Sequence, residues 1–295
     1  MNEKLTIYMK ALRPLHWSKN ILIFIPSFTS GIITIDGIKI LFFAFIAFSL
    51  LASAGYLFND LKDIETDKKN PYKKHRPIAS GKLSRKAAIF LFSILLLSSL
   101  SIFISIGSLK FAIVGIIYLS LTLLYSIKLK HIVIADIISL SMLYTLRVIA
   151  GSLIISSIDI SVWLLSFSAL IFLSLAAIKR ISELKALTNN NNEIKIRGYE
   201  HNDIIILETL SLVSGYISIV VLVFHFSIEE TKALYSQFEM LWLICPIILY
   251  WLTRMILITH RGMMHQDPVI FALKDRVSLS TSAIILIIVM LAKFL

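Results

Sequence analysis

Long apolar runs dominate the chain, broken by short polar or basic segments. Nine stretches approach the roughly 20 apolar residues that an α-helix needs to cross hydrocarbon: 20–35, 38–58, 87–106, 109–127, 132–154, 161–178, 204–227, 238–258 and 277–294. The runs are continuously apolar rather than alternating and lack the turn signals of a barrel, so helices are expected. The first stretch is the weakest, being short and containing Pro26 and Gly31. The predicted architecture is all-α, a polytopic membrane protein with about nine spanning helices in one domain over 1–295. Its main polar connections are expected at 59–86, 128–131, 179–203 and 259–276. No internal repeat is visible, and the asparagine run at 189–192 reads as a loop apex.

Composition agrees. Of 295 residues, 57% are hydrophobic and 16% charged, against roughly 25% charged in soluble domains. Mean hydropathy is +0.84. A soluble enzyme, a secreted disulfide scaffold and a disordered chain are excluded. The single cysteine, Cys245, lies in an apolar run. The first 20 residues are polar and basic, without a short apolar core before a small-residue site, so no cleavable leader is expected.

The net charge of +11 sorts by position. Of 29 Lys and Arg, 24 fall in the N-terminal segment and in every second connection. The other side holds only Lys39, Lys110, Lys232 and Lys293, and Arg147 stands inside a span. The positive-inside rule then predicts a cytoplasmic N-terminus and an external C-terminus. The acids follow the same side: Asp60, Asp63, Asp67, Asp136, Asp203, Asp267 and Asp275 lie on or near it, whereas Asp36 and Asp159 do not. Topology rules care little about carboxylates, so this concentration suggests a functional face.

Its most specific feature is NDLKDIETDKKNPYKKHRPIASG, from Asn59. Asp60, Asp63 and Asp67 are spaced i, i+3, i+7, which on a helix puts three carboxylates on one face, with Asn59 on its edge. Such a stripe repels itself unless cations stand before it. Hard oxygen ligands in this number suit Mg²⁺, which takes few carboxylates plus waters and phosphate oxygens. Lys73, Lys74 and Arg76 follow, and could grip phosphate directly. Acid for metal beside base for phosphate is what a diphosphate substrate requires. The bland alternative is a solvated juxtamembrane helix with Asp–Lys pairs. Glu65 and Lys62 fall off the stripe and read as surface.

With this motif, the chain resembles the UbiA superfamily of intramembrane prenyltransferases. RPLHWSKN (Arg13 to Asn20), NPYKKHRPIASG (Asn70 to Gly81), LKHIVIAD (Leu129 to Asp136), LRVIAG (Leu146 to Gly151), KRISEL (Lys179 to Leu184) and DPVIFALKD (Asp267 to Asp275) are similar to its decaprenyl-phosphate phosphoribosyltransferase branch. One departure is Asn70–Pro71, where that branch has His–Pro. The resemblance implies a UbiA-like helix bundle in a bacterial inner membrane, with the active site on the cytoplasmic side. It implies Mg²⁺-dependent transfer of 5-phosphoribose from phosphoribosyl diphosphate to a polyprenyl phosphate, with Asp60, Asp63 and Asp67 catalytic and, with Asn59, holding the metal. An ordinary UbiA prenyl transfer to an aromatic acceptor would use the same stripe and is the alternative.

The remaining candidates are substrate-binding. Arg147 is the one basic residue inside a span; a charge there costs about 2.5–3.5 kcal/mol on insertion scales. Asp136 lies eleven residues earlier, about three turns, so the two share roughly one face and could line one cavity. The competing reading of Arg147 is a structural salt bridge. Tyr125 and Lys128 have the spacing of a YxxK motif that superfamily members often carry, and Lys130 follows; the alternative is two snorkelling lysines. By resemblance Lys179 and Arg180 belong to the active-site mouth, although Lys179 and Glu183 have the spacing of an intrahelical pair. Lys19 and Asn20, after the interfacial Trp17, could contact phosphate. His201, His260 and His265 lack zinc-site spacing. The basic loops lack interleaved aromatics, so no nucleic-acid partner is expected. A transporter would need more ionisable groups at mid-membrane than Arg147.

Overall fold

The computed structural model describes residues 3–30, 34–70, 73–154, 161–188, 197–264 and 267–295. Gly31, Pro71, Asp159, the 189–192 run, Lys195 and His265 lie outside them. Among the described residues every regular element is helical. Eight helices are long and apolar enough to cross a membrane. They are built on α1 (Ile35–Lys62), α2 (Arg85–Ile106), α3 (Leu109–Ile127), α4 (Ala135–Ile154), α5 (Val162–Thr188), α6 (Ile204–Ser227), α7 (Ile244–His260) and α8 (Arg276–Phe294). Their starts are set by the sequence: Thr34, Ser84, Ser108 and Asp275 accept backbone N–H bonds from Gly37, Ala87, Phe111 and Ser278, satisfying donors that a first turn leaves open.

The first predicted span differs. Pro14–Phe24 is an eleven-residue 3-10 helix that continues as a short α-helix, Ile25–Ser30. Pro26 has no N–H for an α-type bond to Leu22, and the segment buries Lys19 and Asn20 along with Ile23.

α1 packs on α2 and α3, α4 on α3 and α5, and α5 along α6. Lipid offers no hydrophobic drive for helix pairing, so small residues and hydroxyls carry the contacts: Ser174 Oγ donates to the Ser211 carbonyl at 2.7 Å, and Ser99 Oγ to that of Ala47 at 2.9 Å. Phe48, Phe103, Phe111 and Tyr118 form an aromatic core between α1, α2 and α3. Ile89, Phe90, Ile104, Ile116 and Ile217 point outward, as a lipid-facing surface would. The charges separate as expected: Asp36, Lys39, Glu229, Lys232 and Lys293 pair or bond locally at one end of the bundle, and the acidic motif and its partners gather at the other.

At Gly151 the α4 backbone touches the 3-10 helix, and a Cβ built there would lie 1.9 Å from the Ile23 carbonyl oxygen. Gly151→Val is expected to destabilise the fold by roughly 1–3 kcal/mol through overpacking, read as a lowered thermal midpoint in detergent. An unchanged midpoint would mean that this backbone contact does not matter to stability.

Candidate functional site

The acidic motif straddles the end of α1. The helix stops at Lys62, Asp63 takes a bent conformation (φ −95°, ψ 9°), and Ile64–Lys69 forms a further short helix. This break divides the expected stripe. Asp60 and Asp67 are both buried and both accept from one nitrogen, Arg76 Nη1, at 3.0 and 2.7 Å. Arg13 Nη2 adds bonds of 2.7 Å to each Asp60 oxygen. Asp63 turns instead to Lys130, whose ammonium also reaches Asn59 Oδ1 at 3.1 Å, while Asn59 Nδ2 donates to Asp63 at 3.1 Å. Burial pushes the Asp67 carboxyl up and Arg76 pulls it back only in part. Glu65 makes an exposed pair with Lys68, and Lys62 is exposed, both as expected of surface residues.

Among the described residues no three His, Cys, Asp or Glu side chains converge on one point that could hold an ion. Two do meet around a single positive charge: one position, that of Arg76 Nη1, lies within 3.0 Å of both Asp60 and Asp67.

A second charged group lies beside it. Lys19 Nζ donates to Asp267 Oδ2 at 2.8 Å, and Lys179 reaches the same oxygen at 3.4 Å. Burial alone would raise the Asp267 carboxyl; Lys19 and Lys179 outweigh it and hold it well below the usual carboxylate range. Beneath, the Tyr144 ring lies between two cations, with Lys19 Nζ at 5.3 Å and the Arg147 guanidinium at 5.5 Å. Among the described residues the partners of Arg147 are uncharged: it donates to Asn20 Oδ1 at 2.6 Å, to the Tyr118 hydroxyl at 2.7 Å and to the Leu143 carbonyl. Asn20 in turn donates to Ser49 Oγ at 2.9 Å.

Several expected relations fall out differently. Asp136 and Arg147 do not line one cavity together. Asp136 is fully buried against Arg180, which also binds Glu183, and it accepts from the Tyr199 hydroxyl at 2.5 Å. Lys179 pairs with Asp267 and not with Glu183, because Arg180 holds Glu183. Lys130 enters the acidic motif, whereas Lys128 is exposed at the end of α3. Tyr125 accepts from Arg197. Lys73 is half-buried near Arg197 and Arg76. Arg13, Asp267 and Arg197 are the residues that sequence reasoning missed. Arg13 and Asp267 sat inside blocks that carry the family resemblance; Arg197 was counted only as loop charge.

The comparisons bear on this arrangement. Residues 25–268 match the UbiA prenyltransferase family. Two relatives align with most of the chain. Protein y4nM of Sinorhizobium fredii is 35% identical over 94% of this chain, which spans 54% of that longer protein. Nodulation protein NoeC of Azorhizobium caulinodans is 33% identical over 92% of this chain and 88% of its own length. A decaprenyl-phosphate phosphoribosyltransferase of Mycobacterium tuberculosis is 35% identical over 60% of this chain and 59% of its own. A UbiA homolog from Archaeoglobus fulgidus, solved bound to DMAPP and Mg²⁺, superposes with a TM-score of 0.71 at 15% identity, covering 98% of this chain and 99% of that one. The matched segment takes in the acidic motif, the α4 and α5 blocks and Asp267, so this chain belongs to the UbiA prenyltransferase family.

Proposed function

We propose that the protein transfers 5-phosphoribose from phosphoribosyl diphosphate to a polyprenyl phosphate. One observation carries the reading: the charged end of the bundle has two cation groups, one interleaved with Asp60, Asp63 and Asp67 and another where Lys19 and Lys179 share the single carboxylate of Asp267. Two phosphoryl-bearing reactants need two such places, whereas an aromatic acceptor of a prenyl group brings no phosphoryl group. The similarity to the mycobacterial phosphoribosyltransferase supports the same choice.

The residues at the acidic motif fit Mg²⁺, which is commonly held through one or two carboxylates, waters and substrate phosphate oxygens. Asp60 and Asp67 supply that number around one cation position, with Asp63 and Asn59 adjoining. Bound there, the ion would offset the charge of the departing diphosphate. Arg13, Arg76 and Lys130 already face these carboxylates and stand where they can share that charge. Lys19 and Lys179 hold the acceptor phosphate. A phosphate monoester has a second pKa of about 6 and is largely dianionic at neutral pH, so it attacks without a general base. Two lysines sharing one carboxylate orient it without cancelling its charge. Arg147 and Tyr144 support Lys19 from below.

In the reaction an oxygen of the polyprenyl phosphate bonds to C1 of the ribose as the C1–O bond to diphosphate breaks. Configuration at C1 inverts, and the products are polyprenyl-phosphoryl phosphoribose and diphosphate. Holding a soluble donor and a membrane lipid at the same helix ends removes much of the entropic barrier to their encounter. The reading treats 1–295 as one catalytic domain and puts the charged end at the cytoplasmic face of a bacterial inner membrane, the side assigned by 24 of the 29 basic residues.

The test is mass spectrometry of the lipid formed by purified protein from phosphoribosyl diphosphate, Mg²⁺ and a polyprenyl phosphate. The expected product carries one added phosphoribosyl unit. Formation only of a prenylated aromatic, from prenyl diphosphate, would overturn the proposal. In the same assay Asp60→Asn or Asp67→Asn should lower transfer by roughly 100-fold or more and raise the Mg²⁺ concentration needed for half-maximal rate. Glu65→Gln, on the exposed side of the short helix, should stay within about twofold of wild type, as expected of a surface pair; wild-type rates in both aspartate variants would remove their role.

A further inference from the structure

The cations at this end of the bundle outnumber their carboxylates unevenly. Glu183 is a carboxylate that feels Arg180, Arg197, Lys179 and Lys73 together. Arg180 is also bound to Asp136, and Lys179 to Asp267, which leaves Lys73 and Arg197 with a share of Glu183 at most. Among the described residues the half-buried Lys73 ammonium has no hydrogen-bond or ion-pair partner, although Arg197 and Arg76, and the carboxylates of Glu183 and Asp67, are close enough for their charges to bear on it. Among the same residues Arg197 bonds only the Tyr125 hydroxyl, with its guanidinium 5.8 Å from the centre of that ring. Because that hydroxyl oxygen accepts from Arg197, its own proton is free to be donated.

The local backbone holds Arg197 in place. Arg197 and Gly198 are both left-handed, at φ 53° and 87°. A side chain adopts that conformation only when its surroundings compel it. Gly198 lies so near the His131 carbonyl oxygen that a Cβ would come within 3.3 Å of it. Tyr199, fully buried, locks the turn: its hydroxyl donates to Asp136 and accepts from the Ile134 N–H at 2.7 Å. Lys73, Arg197 and the Tyr125 hydroxyl thus gather beside Arg76, near the Asp60–Asp67 pair, with more positive charge than Glu183, held by Arg180, and Asp67, held by Arg76, can answer.

We propose that Lys73, Arg197 and the Tyr125 hydroxyl form a separate seat for a dianionic phosphate monoester, the 5-phosphate of the sugar donor, and so select a 5-phosphorylated pentosyl diphosphate over other diphosphates. The inference rests on the donor assigned above. The acceptor lipid also carries a phosphate monoester, but Lys73 and Arg197 come from connecting loops and not from the spanning helices that line the Lys19–Arg147 side. The soluble donor is therefore the occupant.

Steady-state kinetics on the full-length protein, with Mg²⁺ and polyprenyl phosphate, separate the outcomes. Two donors are compared: phosphoribosyl diphosphate and ribosyl 1-diphosphate, which lacks the 5-phosphate. Arg197→Gly removes the guanidinium while relaxing the left-handed backbone, and Lys73→Gln removes the ammonium. Each should raise KM for phosphoribosyl diphosphate by roughly 10- to 100-fold, the scale of a lost hydrogen bond to a charged group. Neither should change KM for ribosyl 1-diphosphate or for polyprenyl phosphate by more than about twofold, and Arg197→Lys should restore part of the loss. Equal losses on both donors, a change confined to polyprenyl phosphate, or no change would each overturn the seat while the transfer reaction stands. A wild-type protein that forms no ribosylated lipid from either donor would overturn the reaction and the seat together.

Discussion

A carboxylate at the edge of a membrane has to be answered by a cation, and that requirement organises one end of this bundle. Asp60, Asp67 and Asp136 are buried, each with an arginine in hydrogen-bond contact. Desolvated charges of this kind are costly when separated. The partners come from far along the chain: Arg13 meets Asp60 across 47 positions, Lys130 meets Asp63 across 67, and Lys19 meets Asp267 across 248. The ion pairs that could serve chemistry therefore also tie the N-terminal segment and the loop after α3 to the end of α1, and the loop before α8 to the N-terminal segment and α5. On the proposed reaction, a divalent ion between Asp60 and Asp67 would free Arg76 to bind phosphate, so the pairs are exchangeable without leaving a bare charge.

This dependence explains what was legible in the sequence. Eight apolar runs gave eight helices because a span has to satisfy its backbone internally, and that demand writes itself into continuous hydropathy. Asp60 and Asp67, which the spacing put on one face, do meet, but across the bend at Asp63 and around Arg76 rather than along two turns of one continuous helix. The bend at Asp63 and the long-range partners could not be read from local periodicity. Lys179 illustrates the point: its i+4 carboxylate was the obvious local partner, but Arg180 takes Glu183, and Lys179 turns to a residue from the far end of the chain. Arg197 carried one faint signal, the Arg-Gly step of a left-handed turn.

Arg147 shows why a buried charge inside a span need not touch a reactant. Among the described residues it faces two tyrosine rings and three uncharged acceptors, so its charge is spread over polarisable and dipolar groups and not over a carboxylate. It fixes Asn20, and Asn20 is the neighbour of Lys19. The cost of burying it is repaid as orientation of the adjacent lysine, which makes it a positioning residue on this reading.

The 3-10 helix at Pro14–Phe24 follows from the same need for register. A 3-10 helix rises about 2.0 Å per residue, so three residues advance about 6 Å. Four residues of an α-helix, at about 1.5 Å each, advance the same distance. Trp17 and Asn20, three apart, bond Ser53 and Ser49 of α1, four apart and in reverse order, both at 2.9 Å. An α-helical segment would advance only about 4.5 Å between Trp17 and Asn20, a shorter step than the one between Ser53 and Ser49 on α1. The same three-residue repeat brings Ile23 onto Gly151 and puts Lys19, three after His16, on the side that meets Asp267. A conformation that is intrinsically poor over eleven residues is retained because it matches the pitch of α1, and that match is what aims Lys19 at the second cation group.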